Sequence, residues 1–250
     1  MTAATLRASN RPSPTSRHTK ATSPAVQRNM KSVALLSLVL VLGWPGSASP
    51  SAKGQIATPS TKDSVVKDVL REGDILFQAT GGRQGDAIAL ATHSRWTHVG
   101  MAFRENGRWM VVEAVGPVKI TPLQEWIDQG DGEYAVKRLA RDTPDLDPAE
   151  RKRLMETTRR FMGLPYDLAF EWSDERIYCS ELVWKVYAEA LGIRLCEPRP
   201  LRDHDLDSKL VQALMKERYG AAPPLDEPMV APSALFDCPL LLTVQLSPRP

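Results

Sequence analysis

Three side chains of this sequence, Cys179, His98 and Glu113, supply a thiol, an imidazole and a carboxylate in settings where nucleophilic chemistry could be built. Cys179 stands where the polar stretch 172–178 gives way to a run in which Leu182, Val183, Val186, Tyr187, Ala190 and Leu191 recur at three-and-four spacing. That period marks one buried helical face, and Gly192 ends it as a C-terminal cap would. A cysteine at a helix N-terminus meets unpaired backbone N–H groups and the positive end of the helix dipole. Both favour the thiolate and can bring a thiol well below its ordinary pKa of about 8.5. The position also suits a small buried hydrophobe, the commonest fate of a free cysteine, so position alone leaves both readings open.

The stretch Trp96–Phe103 alternates as a strand, with Val99, Met101 and Phe103 on one face and His98, Gly100 and Ala102 on the other. Gly and Ala beside His98 leave open space for a substrate and a second side chain. His93 reads only as a charge at a helix end. Glu105-Asn-Gly-Arg108 is a hairpin turn, which makes Trp109–Val115 the returning strand, and Glu113 interrupts an otherwise apolar run there. With Asn106-Gly107 as a two-residue loop, Glu105 pairs with Arg108, Gly100 with Glu113 and His98 with Val115. Glu113 is then diagonal to His98 on one face, within reach of a long side chain. A carboxylate in such a strand either reaches solvent or is kept for a partner.

These residues need elements to position them. The fold is expected to begin near Ser64 with a short helix through Leu70, followed by a turn at Gly73-Asp74 into a strand ending at Gln78. Gly81-Gly-Arg-Gln-Gly85 reads as a loop; it has the glycines of a phosphate cradle without the Gly-Lys-Ser/Thr ending. Ala87–His93 reads as a short, mostly buried helix. Thr121-Pro-Leu-Gln124 has the pattern of a capping box opening a helix that ends near Gly130. Residues 133–139 form a strand, and Asp147-Pro-Ala-Glu150 opens a helix with Leu154, Thr158 and Phe161 inward, ending at Gly163. A further helix spans Asp205–Tyr219, and a strand lies near 240–246.

Residues 1–29 carry no acid and no apolar period, and are expected not to fold. Met30-Lys31, the apolar run Val33–Leu42 and the small residues 46–48 have the form of a secretory signal peptide, too short in its apolar run to reside in a bilayer. Residues 49–63 form a polar linker, and a single domain long enough for a proper core occupies 64–246. The whole chain has formal charge +2, but six basic and no acidic residues precede position 49, leaving 26 Lys and Arg against 30 Asp and Glu, a balance of −4. That balance gives no support to nucleic-acid binding. Of the three cysteines, Cys196 and Cys238 could pair in an oxidising compartment, leaving Cys179 as the free thiol. No cysteine pair has metal-ligand spacing, and no cofactor is called for.

Gly163-Leu-Pro-Tyr-Asp167 followed by Tyr178-Cys-Ser-Glu-Leu-Val-Trp-Lys-Val-Tyr187 is similar to the Pro-Tyr and Asp-Cys-Ser-Gly motif region of the NlpC/P60 superfamily of cell-wall amidases and endopeptidases. In those papain-like enzymes the cysteine helix precedes the histidine strand; here His98 and Glu113 precede Cys179. That order, with Gly73-Asp-Ile-Leu-Phe-Gln78, Ala91-Thr-His-Ser-Arg-Trp-Thr-His-Val-Gly-Met101 and Val118-Lys-Ile-Thr-Pro-Leu-Gln-Glu-Trp126, resembles the circularly permuted YiiX/YebB-like amidases. The resemblance covers about residues 70 to 246. It implies an α+β, permuted papain-like fold in which a small antiparallel sheet packs against the helix bearing the cysteine. It implies Cys179 as nucleophile, His98 as base and Glu113 as the residue orienting the imidazole, with Tyr166 and Tyr178 at the substrate. Tyr178 stands where the unpermuted enzymes have Asp, and Glu181 where they have Gly, which changes the pocket wall.

Two functions fit. One is an exported cysteine hydrolase acting on an amide, ester or thioester of a peptide, a peptidoglycan fragment or a lipid conjugate. The other is a binding module for a peptide or amino-acid-like ligand with little turnover; the presence together of Cys179, His98 and Glu113 favours the hydrolase. Export yields the first testable expectation. Translation from Met30 and cleavage near Ser49, with Ala52 as a second small-residue site, should give a mature N-terminus there by mass spectrometry of the exported fraction. An N-terminus well upstream of residue 40 would refute it.

Overall fold

The computed structural model describes residues 66–130, 133–143 and 145–247. The expected N-terminal extension, signal peptide and linker all lie outside the described residues. A six-stranded sheet forms the centre. Its strands are β1 (Ile75–Gln78), β2 (His98–Glu105), β3 (Arg108–Ala114), β4 (Val118–Pro122), β5 (Tyr134–Leu139) and β8 (Leu241–Leu246), in the order β4-β3-β2-β1-β5-β8. Every neighbouring pair is antiparallel.

The helices are α1 (Gly82–Thr92), α2 (Leu123–Gln129), α3 (Pro148–Phe161), α4 (Cys179–Leu191), α5 (Lys209–Tyr219) and α6 (Pro232–Phe236), and a two-residue ribbon joins β6 (Arg199–Pro200) to β7 (Pro228–Met229). Both faces of the sheet are covered, which is why β1 is buried at all four positions. On one face Ile75, Phe77, Val99, Met101 and Val112 pack with α3 and α4. On the other, Leu76, Ala102, Val111 and Val136 pack with Leu123 and Trp126 of α2 and with Val66. A separate apolar contact, Ala87 with Val211 and Leu214, joins α1 to α5.

The Asn106-Gly107 hairpin has the expected register, with Glu105 opposite Arg108 and Gly100 opposite Glu113. Both turn residues lie at positive φ, the backbone such a two-residue loop demands. The pairing stops at Gly100, so the expected His98–Val115 pair does not form. Gly100 also does something other than leave room beside the imidazole. A Cβ there would stand 2.5 Å from Val111 Cγ1 and 2.8 Å from the Val112 carbonyl oxygen, so the glycine lets β3 approach β2.

α3 is capped as its sequence demands. Asp147 accepts from the N–H groups of Ala149 and Glu150, Glu150 accepts from the N–H of Asp147, and Pro148 occupies the first turn. Other boundaries differ from expectation. α1 begins at Gly82, inside the expected glycine loop, and buries only Gly85 and Ala87. Gly85 is required because a Cβ there would fall 1.9 Å from the Thr80 carbonyl oxygen. α5 starts at Lys209, where the Ser208 hydroxyl accepts from the N–H of Val211. Thr121 caps no helix: it belongs to β4, and α2 follows Pro122.

A Gly100→Ala substitution tests the close approach of β2 and β3. It should lower stability by about 1–3 kcal/mol through overpacking, read as a fall in thermal midpoint. An unchanged midpoint would mean that β3 yields without cost.

Candidate active site

Position decides what Cys179 can do. It is the first residue of α4, so its backbone N–H is among those a helix leaves without an intrahelical partner. α4 packs on the Val99 face of the sheet, whereas His98 belongs to the strand parity of Gly100 and Ala102. The two nevertheless meet, because His98 is the first residue of β2 and β2 has parted from β3 beyond Gly100. In that opening the thiol lies close enough to the His98 imidazole and the Val99 backbone for both to act on its charge.

His98 Nε2 lies 2.7 Å from Glu113 Oε2, which leaves Nδ1 as the ring nitrogen for the sulfur. The other carboxylate oxygen of Glu113 accepts from the Thr121 hydroxyl and stands 3.8 Å from Lys119 Nζ. His98, Glu113 and Cys179 are all buried, Glu113 completely. Sulfur, imidazole and carboxylate therefore form one row, and Thr121 at its end is a member that sequence analysis assigned to a helix cap. The available signal was register: with Lys119 opposite Glu113, Thr121 is diagonal to Glu113 on the same face.

Burial acts against charge on each group, and the neighbours reverse it for all three. Burial would lower the His98 pKa, but hydrogen bonds with Cys179 and Glu113 and their negative charges raise it to about 9. Burial would raise that of Glu113, but His98, then Thr121 and Lys119, hold it below the ordinary carboxylate range. Burial would raise that of Cys179 as well; His98, the Val99 backbone and Ser180 bring it below the usual thiol range. The favoured state is a thiolate–imidazolium pair beside a carboxylate.

The segment containing Tyr166 runs beside the approach to Cys179, since Tyr166 and Ile177 form a parallel bridge. The Tyr166 hydroxyl accepts from Gln84 Nε2 at 2.9 Å, and Gln84 Oε1 accepts from Arg218 Nη2 at 3.1 Å. Gln84 and Arg218 carried no motif in the sequence; only folding brings α1 and α5 to Tyr166. Tyr178 is a wall residue. Its ring meets Phe170 edge-on, and its hydroxyl accepts from the Val230 N–H at 3.0 Å. Glu181, also fully buried, pairs with Lys185 at 2.9 Å, and Lys185 reaches Asp174 at 2.7 Å, which fastens the loop before Cys179 to its helix. His93 caps α1 and pairs with Asp205, outside this site. All three cysteines are unbonded; burial and the nearby Cys238 push the Cys196 thiol up to about 12.

A buried cysteine at a helix start, facing a strand histidine and its carboxylate, defines a papain-like site, and the order of the parts in this chain makes it a permuted one. Residues 69–245 match the model of the permuted papain-like amidase family YaeF/YiiX, the C92 family, and the chain belongs to that family. It is 49% identical over 173 residues to the uncharacterized protein YiiX of Escherichia coli strain K12, spanning 69% of this chain and 84% of that one. A crystal structure of YiiX from Escherichia coli O157:H7, described as a metalloprotein, superposes with a TM-score of 0.68 at 48% identity, covering 73% of this chain and 99% of the other.

The charged row makes a pH prediction. The stabilisation from the raised His98 pKa is complete below its ordinary 6.5 and is lost as pH rises through about 9. That from Glu113 is present above its ordinary 4.5 and is lost as pH falls through its depressed value. The thiolate of Cys179 should therefore persist to lower pH than that of an unperturbed thiol. Its alkylation by iodoacetamide should stay fast below the rise near 9.0 of an unperturbed thiol, and His98→Ala should move the rise back upward. Identical profiles for the two proteins would show that the pair is not charged.

Proposed function

We propose that this member of the permuted papain-like amidase family is an exported cysteine hydrolase that works through an acyl-enzyme. The observation that carries the reading is the continuous row of Cys179, His98 and Glu113, with the thiol at the N-terminus of α4. The Cys179 thiolate attacks the substrate carbonyl, forming a C–S bond and a tetrahedral oxyanion. The Cys179 N–H donates to that oxygen. The Tyr166 hydroxyl, which accepts from Gln84 and so keeps its own proton free, is the candidate second donor. One such donor is typically worth on the order of 10²–10³ in rate.

His98 then passes its proton to the leaving nitrogen, oxygen or sulfur as the carbonyl re-forms and the bond to that atom breaks. Water, deprotonated by His98, attacks the thioester, releases the acid and restores the thiolate. Glu113 touches no reacting atom; it orients the imidazole and stabilises its positive form. Export follows from the Met30 leader in the sequence. Among the described residues no helix is long and apolar enough to cross a membrane.

The metal of the Escherichia coli O157:H7 protein finds no counterpart in the donors of this row. His98 stands between Cys179 and Glu113 rather than converging with them on a point. Among the described residues no group of three or more His, Cys, Asp and Glu side chains could hold a metal ion.

Wild-type protein should be labelled by an electrophilic thiol probe and Cys179→Ala should not, with hydrolysis lost in the same variant. Glu113→Gln should reduce turnover far less than Cys179→Ala. The amide still offers His98 an acceptor, and the Thr121 hydroxyl can turn to accept from the new NH₂. Glu113→Ala, which removes the acceptor, should be more damaging than Glu113→Gln. Turnover that survives in Cys179→Ala refutes the mechanism. Equal activity in wild type and both Glu113 variants would reduce the carboxylate to a bystander.

A further inference from the structure

We propose that the chain carries a second binding site, a basic cleft between α3 and the β2–β3 hairpin, which takes the phosphate group of a phosphate ester. No residue lining this cleft lines the cavities beside Cys179 or His98. The inference goes beyond the hydrolase reading and does not rest on it.

Charge is the first observation. Arg71, Arg104, Arg151, Lys152 and Arg159 line the cleft against two carboxylates, Glu72 and Asp145. That is a surplus of three positive charges in a chain that balances to −4 from residue 49 onward. The spacing is helical: Pro148, Arg151, Lys152, Met155 and Arg159 form one stripe of α3, and that stripe faces the cleft.

The two carboxylates are already engaged and leave the surplus standing. Glu72 accepts from the Arg104 backbone N–H at 3.0 Å and pairs with Arg151 Nε at 2.7 Å. Asp145 pairs with Arg71 Nη1 at 3.1 Å. A guanidinium has five N–H donors, so Arg71 and Arg151 each keep others for a ligand. Arg104 lies over the Trp109 ring, 4.7 Å from its centroid, and among the described residues no carboxylate pairs with Arg104 or Arg159. Lys152 has Glu156 at 3.9 Å, an exposed pair worth little.

These donors exceed what a single carboxylate can use. A phosphate ester brings several acceptor oxygens and up to two charges, and its oxygens match the guanidinium fork. About 620 Å³ of the cleft admits the centre of a water molecule, which is room for the anion together with the organic part of an ester. Leu70, Leu146 and Met155, with the Trp109 indole, supply apolar contact for that carbon skeleton. The headgroup of an anionic phospholipid and a soluble phosphate ester present the same group, and two arms of one experiment separate them.

The first arm is calorimetric titration of the wild-type protein with glycerol 3-phosphate; the second is cosedimentation with phosphatidylglycerol vesicles against phosphatidylcholine vesicles. One probe or both should bind, and more weakly as salt is raised. Arg104→Gln and Arg159→Gln should each weaken that binding about tenfold. Lys216→Gln, an equal loss of charge at an exposed position on α5, should not. Binding to vesicles alone assigns the lipid source, and binding of glycerol 3-phosphate alone assigns the soluble one. Should the arginine variants fail to fold, protection of Arg104 and Arg159 in the wild type from phenylglyoxal by whichever probe binds, read by peptide mass spectrometry, is the second measurement.

Binding of neither probe overturns the proposal, as does binding that both arginine variants leave unchanged. Displacement of glycerol 3-phosphate by succinate at equal concentration overturns the choice of phosphate. Cys179→Ala should bind as the wild type does; loss of binding there would move the ligand to the catalytic row and end the case for a second site.

Discussion

Glu113 is a carboxylate with no exposure in the middle of a sheet, and its need for partners organises the site around it. A buried charge is costly unless it is paired and hydrogen-bonded. Here His98, Thr121 and Lys119 meet that requirement, and they arrive from β2 and β4 on either side of β3. One residue of slip in either pairing would turn Glu113 or its partners to the opposite face. The hairpin turn at Asn106-Gly107 and the close approach allowed by Gly100 are therefore part of the site, although neither contributes a side chain to it. Such a pair is weak evidence for stability, since desolvation offsets much of the attraction. Its structural product is orientation: with Nε2 occupied, the imidazole has one nitrogen left for sulfur.

The second constraint is that a helix end and a strand end meet from opposite sides of a sheet. α4 packs on the Val99 face, and His98 has the parity of the other. The contact exists because the β2–β3 ladder stops at Gly100, opening a gap at the strand end in which the Val99 backbone also reaches the sulfur. Nothing in this arrangement depends on whether helix or strand comes first in the chain. A permuted order therefore leaves the site intact, because what must be conserved is the junction in space. Burial alone would make Cys179 a poor thiolate; the adjoining imidazole reverses that, so the charge state belongs to the pair.

Much of this was legible in the sequence where a local rule coincided with the global packing. The Asn-Gly turn set the β2–β3 register, the apolar period located α4, and Asp147-Pro148 opened α3. Local rules failed where tertiary partners competed for the same group. Thr121 satisfies the pattern of a helix cap, but the residue before a proline is biased toward extended backbone, and the Glu113 carboxylate takes its hydroxyl. The glycines at 81–85 suggested a loop, yet Gly85 serves the packing of α1 against Thr80, and the same turn delivers Gln84 to Tyr166. Gln84 and Arg218 are in contact in the fold but 134 residues apart in the sequence, and no spacing rule connects them.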